Sequence, residues 1–128
     1  MPSTATGSKP RAKRILVVED ELMIRMLLED MLGELGYTIA AQAARIDEAL
    51  EAAKTADFDL AILDVNLNGQ PISPVADALV ARGRPFVFAT GYGERGLPEP
   101  YRDRPALKKP FQLDGLKQML ETALDGSR

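Results

Sequence analysis

The pattern that most constrains the fold is an alternation of short apolar runs with helical stripes. Three runs of strand length are almost wholly apolar: 14–18 (RILVV), 59–63 (DLAIL) and 85–89 (PFVFA). Such runs are typical of central strands in a parallel sheet, because those strands are buried on both faces. A weaker run at 37–43 and a short one at 105–109 predict two further strands.

Helical patterns lie between these runs. The last of them places apolar residues at the i, i+3, i+4, i+7 and i+8 positions of one face, beginning at Leu116. Ser73 followed by Pro74 predicts a helix start, with a capping residue before proline at the first helical position. The predicted helices cover 21–35, 46–56, 74–82 and 113–124.

This element order predicts an α/β fold in which a doubly wound, five-stranded parallel sheet carries helices on both faces. The segment 91–104 (GYGERGLPEPYRDR) interrupts the alternation, since it has three glycines and two prolines but no helical stripe. We therefore expect the helix that would connect the fourth and fifth strands to be shortened or replaced by a loop there.

Composition excludes several kinds of chemistry. The chain has 128 residues, enough for one domain, and contains neither cysteine nor histidine. Disulfides, thiolate nucleophiles, a Ser-His-Asp triad, histidine metal ligands and a role as histidine phosphodonor are all excluded. A net charge of −3 gives no reason to expect nucleic acid or membrane as a partner.

The amino-terminal segment predicts no folded structure. Residues 1–12 are small and polar, so we expect a disordered tail before a domain over 13–125. No apolar run approaches the ~18 residues that a membrane span requires, and the basic start lacks the apolar stretch of a secretory signal. A cytoplasmic location is therefore expected.

Acidic residues follow two of the predicted strands. Glu19, Asp20 and Glu21 come directly after the first strand, and Asp64 follows the third. Since ligands bind beyond the carboxyl ends of parallel strands, these side chains are expected to share one edge of the sheet. Glu19, Asp20 and Asp64 would repel one another strongly there, and a hard cation such as Mg²⁺ would relieve the repulsion.

A hydroxyl and a cation follow the remaining strands at the same edge. Thr90 ends the fourth strand and Lys109 ends the fifth. Asp64 is then a candidate nucleophile that accepts a phosphoryl group as an acyl phosphate. Mg²⁺, the Thr90 hydroxyl and the Lys109 ammonium would stabilise the added oxygens, and Asp64, Thr90 and Lys109 are our candidate catalytic residues.

Each of these residues also has a structural interpretation. Asp20 could cap the first helix, Asp64 could cap a turn, and Lys109 could be a solvated lysine at a strand end. Taken singly, each of these interpretations is favoured. The presence of acids, a hydroxyl and an ammonium at the ends of the appropriate strands favours a functional site.

The segments ILVVEDE, LAILDVNLNG, FVFATGYG and ALKKPF resemble the receiver domain of two-component response regulators over about residues 13–125. The resemblance implies a flavodoxin-like strand order of 2-1-3-4-5 and a cis Lys109–Pro110 bond. It also implies that Asn66 offers a backbone carbonyl to Mg²⁺. By the same resemblance, Glu19 and Asp20 are the acidic metal pair and Asp64 is the phosphoacceptor. Thr90 is then the switch hydroxyl, and Lys109 is the invariant lysine.

The chain departs from the usual receiver pattern at three places. Ala106 stands where receivers carry a rotating aromatic residue, Asn68 stands where many have proline, and FATGYG resembles the motif of the atypical FATGUY subgroup. That resemblance implies a mobile loop in place of the helix between the fourth and fifth strands. It also implies partner kinases of the HWE or a related type. We hypothesise that Tyr92 reports phosphorylation in place of the missing aromatic; packing in the core is the alternative for Tyr92.

The resemblance implies a single-domain response regulator that accepts a phosphoryl group from a sensor histidine kinase or exchanges it with a histidine phosphotransfer protein. It would be a bacterial phosphoprotein and a monomer, and would act on no external substrate. The alternatives are a degenerate receiver-like binding module that is never phosphorylated, and a haloacid dehalogenase-type phosphatase. The latter needs a second acid two residues after its nucleophile, where this chain has Asn66.

Overall fold

The computed structural model describes residues 12–91 and 97–126, so the predicted tail lies almost wholly outside the described residues. Within them, strands and helices alternate as the sequence predicts. The elements are β1 (Arg14–Val18), α1 (Leu22–Glu34), β2 (Thr38–Ala43), α2 (Ile46–Thr55), β3 (Leu60–Asp64), β4 (Asn66–Leu67), β5 (Gln70–Pro71), α3 (Ser73–Arg82), β6 (Phe86–Thr90), a 3-10 turn (Glu99–Tyr101), β7 (Ala106–Lys108) and α4 (Leu113–Gly126).

A five-stranded parallel sheet forms the centre of the molecule, in the order β2-β1-β3-β6-β7. Numbered without the small β4–β5 hairpin, this is the predicted order 2-1-3-4-5, and the fold class is confirmed. Because all five strands are parallel, their carboxyl ends lie at one edge of the sheet. That edge carries the candidate site.

Two apolar layers cover the sheet, one on each face. Alternate residues of β1 point to opposite faces, so Leu16 belongs to one layer and Ile15 to the other. Helices α2 and α3 bury Ala53 and Leu79 in the first layer, while α1 and α4 bury residues such as Leu28 in the second. Each fully buried leucine contributes about 2 kcal/mol, so these layers fix the strands that hold the site.

Two local details differ from prediction. Helix α3 begins one residue early, with Ile72 as the N-cap and Ser73 already helical, and no side chain caps it. The β4–β5 hairpin was not predicted, and its turn places Asn68 at a φ of 53° before Gly69 at 79°. Proline is restricted to a φ near −65°, so this turn is incompatible with proline at position 68.

The connection from β6 to β7 contains only the 3-10 turn among its described residues, Gly91 and 97–105. Tyr101 on this turn is buried against Phe86 and Phe88 in edge-to-face and tilted contacts, and its hydroxyl donates a short hydrogen bond to Asp77 of α3. The prediction that the helix between these two strands is shortened or replaced by a loop is therefore confirmed for the described part of the connection. None of the described helices is both long and apolar enough to cross a bilayer.

Candidate metal centre and active site

Three acidic side chains converge beyond the carboxyl ends of β1 and β3. Glu19 and Asp20 follow β1, and Asp64 is the last residue of β3. Each offers a carboxylate oxygen, and these oxygens all lie within 4.8 Å of one another. Glu19 and Asp64 are buried, at 1% and 7% exposure, whereas Asp20 is half-buried. The structure thus brings the three predicted acidic ligands together.

Backbone and side-chain hydrogen bonds hold Glu19 and Asp20 in place. The Glu21 N–H donates to Glu19 Oε1 at 3.2 Å, and Arg25 donates to the Glu19 backbone carbonyl at 2.8 Å. Asp20 Oδ2 accepts the Asn68 N–H of the hairpin at 3.0 Å. The N-cap of α1 is Glu21, and no side chain caps the helix, so the interpretation of Asp20 as a helix cap is wrong.

Lys109 reaches the acids from the end of β7. Its Nζ lies 2.8 Å from Glu19 Oε2 and 3.5 Å from Asp64 Oδ2, with only 18% of the side chain exposed. Its backbone N–H donates to the Thr90 carbonyl at 2.9 Å, and the Lys109–Pro110 bond is cis as the resemblance implied. Lys109 is therefore not a solvated lysine.

Thr90 and Asn66 complete the predicted set. Ala89 pairs with Asp64 in adjacent strands, so Thr90, the next residue of β6, lies fully buried beside the acids. The Asn66 N–H donates to Asp64 Oδ1 at 3.3 Å, which gives Asp64 the turn-capping contact considered from sequence. The Asn66 side chain accepts the Gly69 N–H at 2.8 Å and is thereby used within the hairpin.

Burial dominates the electrostatics of this cluster. Desolvation raises the pKa of Glu19 to about 7, the charge of Asp64 adds to the increase, and Lys109 opposes it. Desolvation likewise raises the pKa of Asp64. Burial acts against the charge of Lys109, but Glu19 and Asp64 outweigh it and raise the Lys109 pKa. Burial alone would raise the pKa of Asp20, but hydrogen bonds from Glu19 and the Asn68 N–H lower it.

The donor set fits a small, hard cation. Three carboxylates face one ammonium, so two negative charges are uncompensated when all four groups are ionised. Glu19 Oε2 is buried and accepts no hydrogen bond of good geometry within the described structure, although the Lys109 ammonium lies beside it. An all-oxygen cluster with a half-exposed member, Asp20, matches the preference of Mg²⁺ for a few carboxylates and retained water.

Sequence reasoning missed one contributor to the site. Asn68 ties the hairpin to Asp20 through its N–H and to the Ala44 carbonyl through its side chain at 2.9 Å. The only sequence signal was the Asn-Gly pair at 68–69, which is typical of a tight hairpin turn. Tyr92 lies outside the described residues, so the hypothesis that it reports phosphorylation stays a prediction.

The sequence profile of the response regulator receiver domain matches residues 15–97, well over half of the chain. The chain belongs to the response regulator receiver domain family. The acids, the hydroxyl and the lysine therefore occupy the edge of a receiver domain, and the fold and recognition inferred from sequence are both confirmed.

Similar proteins are bacterial response regulators. Over 99% of its length this receiver domain is 37% identical to the transcriptional regulatory protein PdtaR of Mycobacterium tuberculosis, of which it covers 63%. The solution structure of SdrG from Sphingomonas melonis is 45% identical, with a TM-score of 0.79 over 88% of this chain and 97% of SdrG. The PhyR receiver domain of Erythrobacter litoralis is 34% identical, with a TM-score of 0.75 over 89% and 91% of the two chains.

Proposed function

We propose that this receiver domain accepts a phosphoryl group on Asp64 in a Mg²⁺-dependent reaction and signals by the conformational change that follows. The observation that carries the proposal is the convergence of Glu19, Asp20 and Asp64 with Lys109 at one edge of the sheet. Burial of Asp64 beside two further acids is unfavourable for a purely structural carboxylate. The same arrangement suits a carboxylate whose charge changes when it accepts a phosphoryl group.

The proposed step is transfer from a phosphohistidine of a sensor kinase or phosphotransfer protein. An Asp64 carboxylate oxygen attacks phosphorus, the P–N bond breaks, and the electron pair leaves on the imidazole nitrogen, which takes a proton from water. The product is an acyl phosphate, and its later attack by water returns Asp64 and inorganic phosphate. No external substrate is turned over, so the domain acts as a signalling module in the cytoplasm.

The surrounding residues would hold the added oxygens. Glu19, Asp20, Asp64 and the Asn66 backbone carbonyl would hold Mg²⁺, which supplies charge neutralisation for the incoming phosphoryl group. Lys109 already lies 3.5 Å from Asp64 Oδ2, and would pair with a phosphoryl oxygen. Thr90, at the end of the adjacent strand, would offer its hydroxyl to another.

The surface of α1 supports a protein as the phosphodonor. Leu22, Met23, Met26 and Leu27 are exposed by 40–78%, and they begin directly after the acids. Such an apolar patch beside a reactive carboxylate suits docking of a partner helix. SdrG, 46% identical in a second structure with a TM-score of 0.75, has been solved in a BeF3-activated conformation, which supports an analogous activated state here. The FATGUY motif makes an HWE-type kinase our proposed donor.

Intact mass spectrometry after incubation with acetyl phosphate and Mg²⁺ tests the proposal. We expect the protein to gain one phosphoryl group, because the Asp64 carboxylate and the Lys109 ammonium lie side by side and the neighbouring acids could hold the added Mg²⁺. Asp64→Asn should abolish the gain, since an amide oxygen is a poor nucleophile and the residue keeps its shape. Chelation of Mg²⁺ should abolish it as well.

Asp59→Asn is the matched control, because Asp59 precedes β3 at the opposite end of the strand and its removal changes the charge equally. That variant should be phosphorylated as the parent is. Labelling that persists in Asp64→Asn would assign the phosphoryl group to another residue. Absence of labelling with both acetyl phosphate and a purified cognate kinase would leave only a non-phosphorylated binding module.

A further inference from the structure

A cavity of about 350 Å³ lies at the opposite edge of the sheet from the acids. Arg84 and Arg104 line it, and each precedes a strand by two residues: Arg84 leads into β6 and Arg104 into β7. Parallel strands place both residues at the amino-terminal edge, so the cavity shares no residue with the Asp64 site. Its volume falls within the usual range for small-molecule pockets.

Neither guanidinium group forms an ion pair with a carboxylate in the described part of the chain. No carboxylate within that part of the chain lies within 4.0 Å of Arg84 or Arg104, although other arginines, Arg14 and Arg45, form ion pairs. The described lining of the cavity contains no acidic residue. Arg84 Nε is buried and has no hydrogen-bond acceptor in the described structure. A buried donor without an acceptor is an unfavourable feature of this position of the Arg84 side chain.

An aromatic ring lies near each of the two guanidinium groups. The Arg104 guanidinium lies 4.6 Å from the centroid of the Phe86 ring, and that of Arg84 lies 6.0 Å from the centroid of Phe58. A guanidinium group can donate two parallel hydrogen bonds to an oxyanion. The carboxyl end of α3 offsets part of the Arg84 charge, so the attraction for an anion depends on both arginines together.

The rest of the cavity is apolar. Val80 and Ala123 contribute from two helices, and Pro85, Phe86 and Pro105 contribute from the strand ends. Inorganic phosphate would contact the arginines but leave this surface in contact with water. A ligand with an apolar body would bury it and gain the corresponding hydrophobic free energy.

We propose that this cavity binds a small organic oxyanion, a carboxylate or phosphate carried on a flat apolar body, with Arg84 and Arg104 as its recognition residues. The oxyanion accepts hydrogen bonds from N–H groups of the two guanidinium groups. The apolar body lies against Val80, Pro85 and Ala123. This inference does not depend on the phosphoacceptor role of Asp64, because the two sites lie at opposite ends of the strands.

Titrations of the full chain followed by ¹⁵N NMR test the proposal, with phenyl phosphate, benzoate and inorganic phosphate as probes. Mg²⁺ is omitted so that phosphate is not recruited to the acidic cluster. The Arg84 and Arg104 Nε–H resonances are the direct readout, since an oxyanion bound at either guanidinium group shifts them. We expect saturable shifts, with phenyl phosphate or benzoate binding at least ~10-fold more tightly than inorganic phosphate.

Three arginine variants locate the site. Arg84→Gln and Arg104→Gln should each weaken binding at least ~10-fold, whereas Arg102→Gln, the same charge change at an exposed neighbour outside the cavity, should stay within ~2-fold. Asp64→Asn should bind as the parent does. Arg84→Lys keeps the positive charge but lacks the paired N–H donors of a guanidinium group. It serves as the second variant if the NMR spectrum of Arg84→Gln loses its dispersion, which would show that this variant does not fold.

Three outcomes would overturn the proposal. Shifts that grow linearly up to ~20 mM for every probe would show no specific site. Shifts confined to residues outside the cavity would place the anion elsewhere. An equal loss of binding in Arg102→Gln and Arg84→Gln would reduce the interaction to general attraction by positive charge. Preference for phenyl phosphate over benzoate, or the reverse, identifies which oxyanion the arginine pair selects.

Discussion

Glu19 shows most directly how burial and charge interact in this molecule. Its carboxyl group is 1% exposed, and burial raises its pKa to about 7 even though the Lys109 ammonium lies 2.8 Å from Glu19 Oε2. A carboxyl group in this position is costly to ionise without further positive charge. The residue therefore gains most from a bound cation, whereas Asp20 is half-buried and keeps a lowered pKa.

Asp20→Asn should weaken Mg²⁺ binding at least ~10-fold, or ~1.4 kcal/mol, because it removes the carboxylate that is most easily ionised. Isothermal titration calorimetry measures the affinity. Asp30→Asn removes the same charge from an exposed position of α1 and should leave the affinity unchanged within ~2-fold. Equal affinity of the Asp20 variant and the parent would remove Asp20 from the metal site.

The identity of the acids was predictable because they follow apolar runs, and the carboxyl ends of parallel strands meet at one edge. The distances between the acids were not predictable, and neither was the position of the Lys109 ammonium relative to Glu19 and Asp64. Those depend on side-chain rotamers and on contacts between residues distant in sequence, such as the Asn68 N–H with Asp20 Oδ2. Periodicity carries no information about such contacts.

At the scale of elements, the β4–β5 hairpin links the site to its surroundings. Its strands are two residues each, too short to produce an alternating pattern in sequence. Asn68 nevertheless fixes its position through hydrogen bonds to Asp20 and to the Ala44 carbonyl. The hairpin thus joins the loops after β1, β2 and β3.

Asn68→Pro should destabilise the protein by roughly 3 kcal/mol, because proline cannot adopt a φ of 53° and lacks the N–H that Asp20 accepts. Asn68→Gly accepts the positive φ and keeps the N–H, so it should cost only about 1 kcal/mol, chiefly from the lost side-chain hydrogen bond to Ala44. Urea denaturation measures both. Similar stability of the proline variant and the parent would show that the hairpin turn adopts another conformation.

The β6–β7 connection was predicted as a loop from its glycines and prolines, but the role of Tyr101 was not. Tyr101 packs in the same apolar layer as Ala106, whose side chain is only a methyl group. An aromatic residue inside an irregular segment has no periodicity to mark it as buried. Only its contacts with Phe86, Phe88 and Asp77 identify it as part of the core.

For the molecule as a whole, Tyr101 predicts a specific loss of stability in alkali. Burial, with the Asp77 carboxylate as acceptor, raises its pKa from 10.0 to about 12. Below pH 10 the folded and unfolded states both keep the proton, so stability is unaffected. Between pH 10 and 12 the unfolded state releases it first, and the free energy of unfolding therefore falls as pH rises.

Denaturation curves collected from pH 8 to pH 12 measure this effect. Tyr101→Phe should be less stable at pH 8 by about 1 kcal/mol, from the lost hydrogen bond, but its stability should decline less steeply in alkali. Parallel declines for variant and parent would contradict the assignment, and would attribute the alkaline loss to other groups, such as Tyr37, whose pKa burial also raises.

Strand β6 begins two residues after Arg84 and ends on Thr90. Five residues of strand extend about 16 Å, and two unit charges at that separation interact by about 1 kcal/mol at an effective dielectric constant of about 20. A charge gained at one end is therefore felt only weakly by a charge at the other. A change at one edge of the sheet can therefore reach the other edge only through small displacements of atoms along the strands. The stiffness of the strands then matters more for such transmission than the electrostatic field between the two edges.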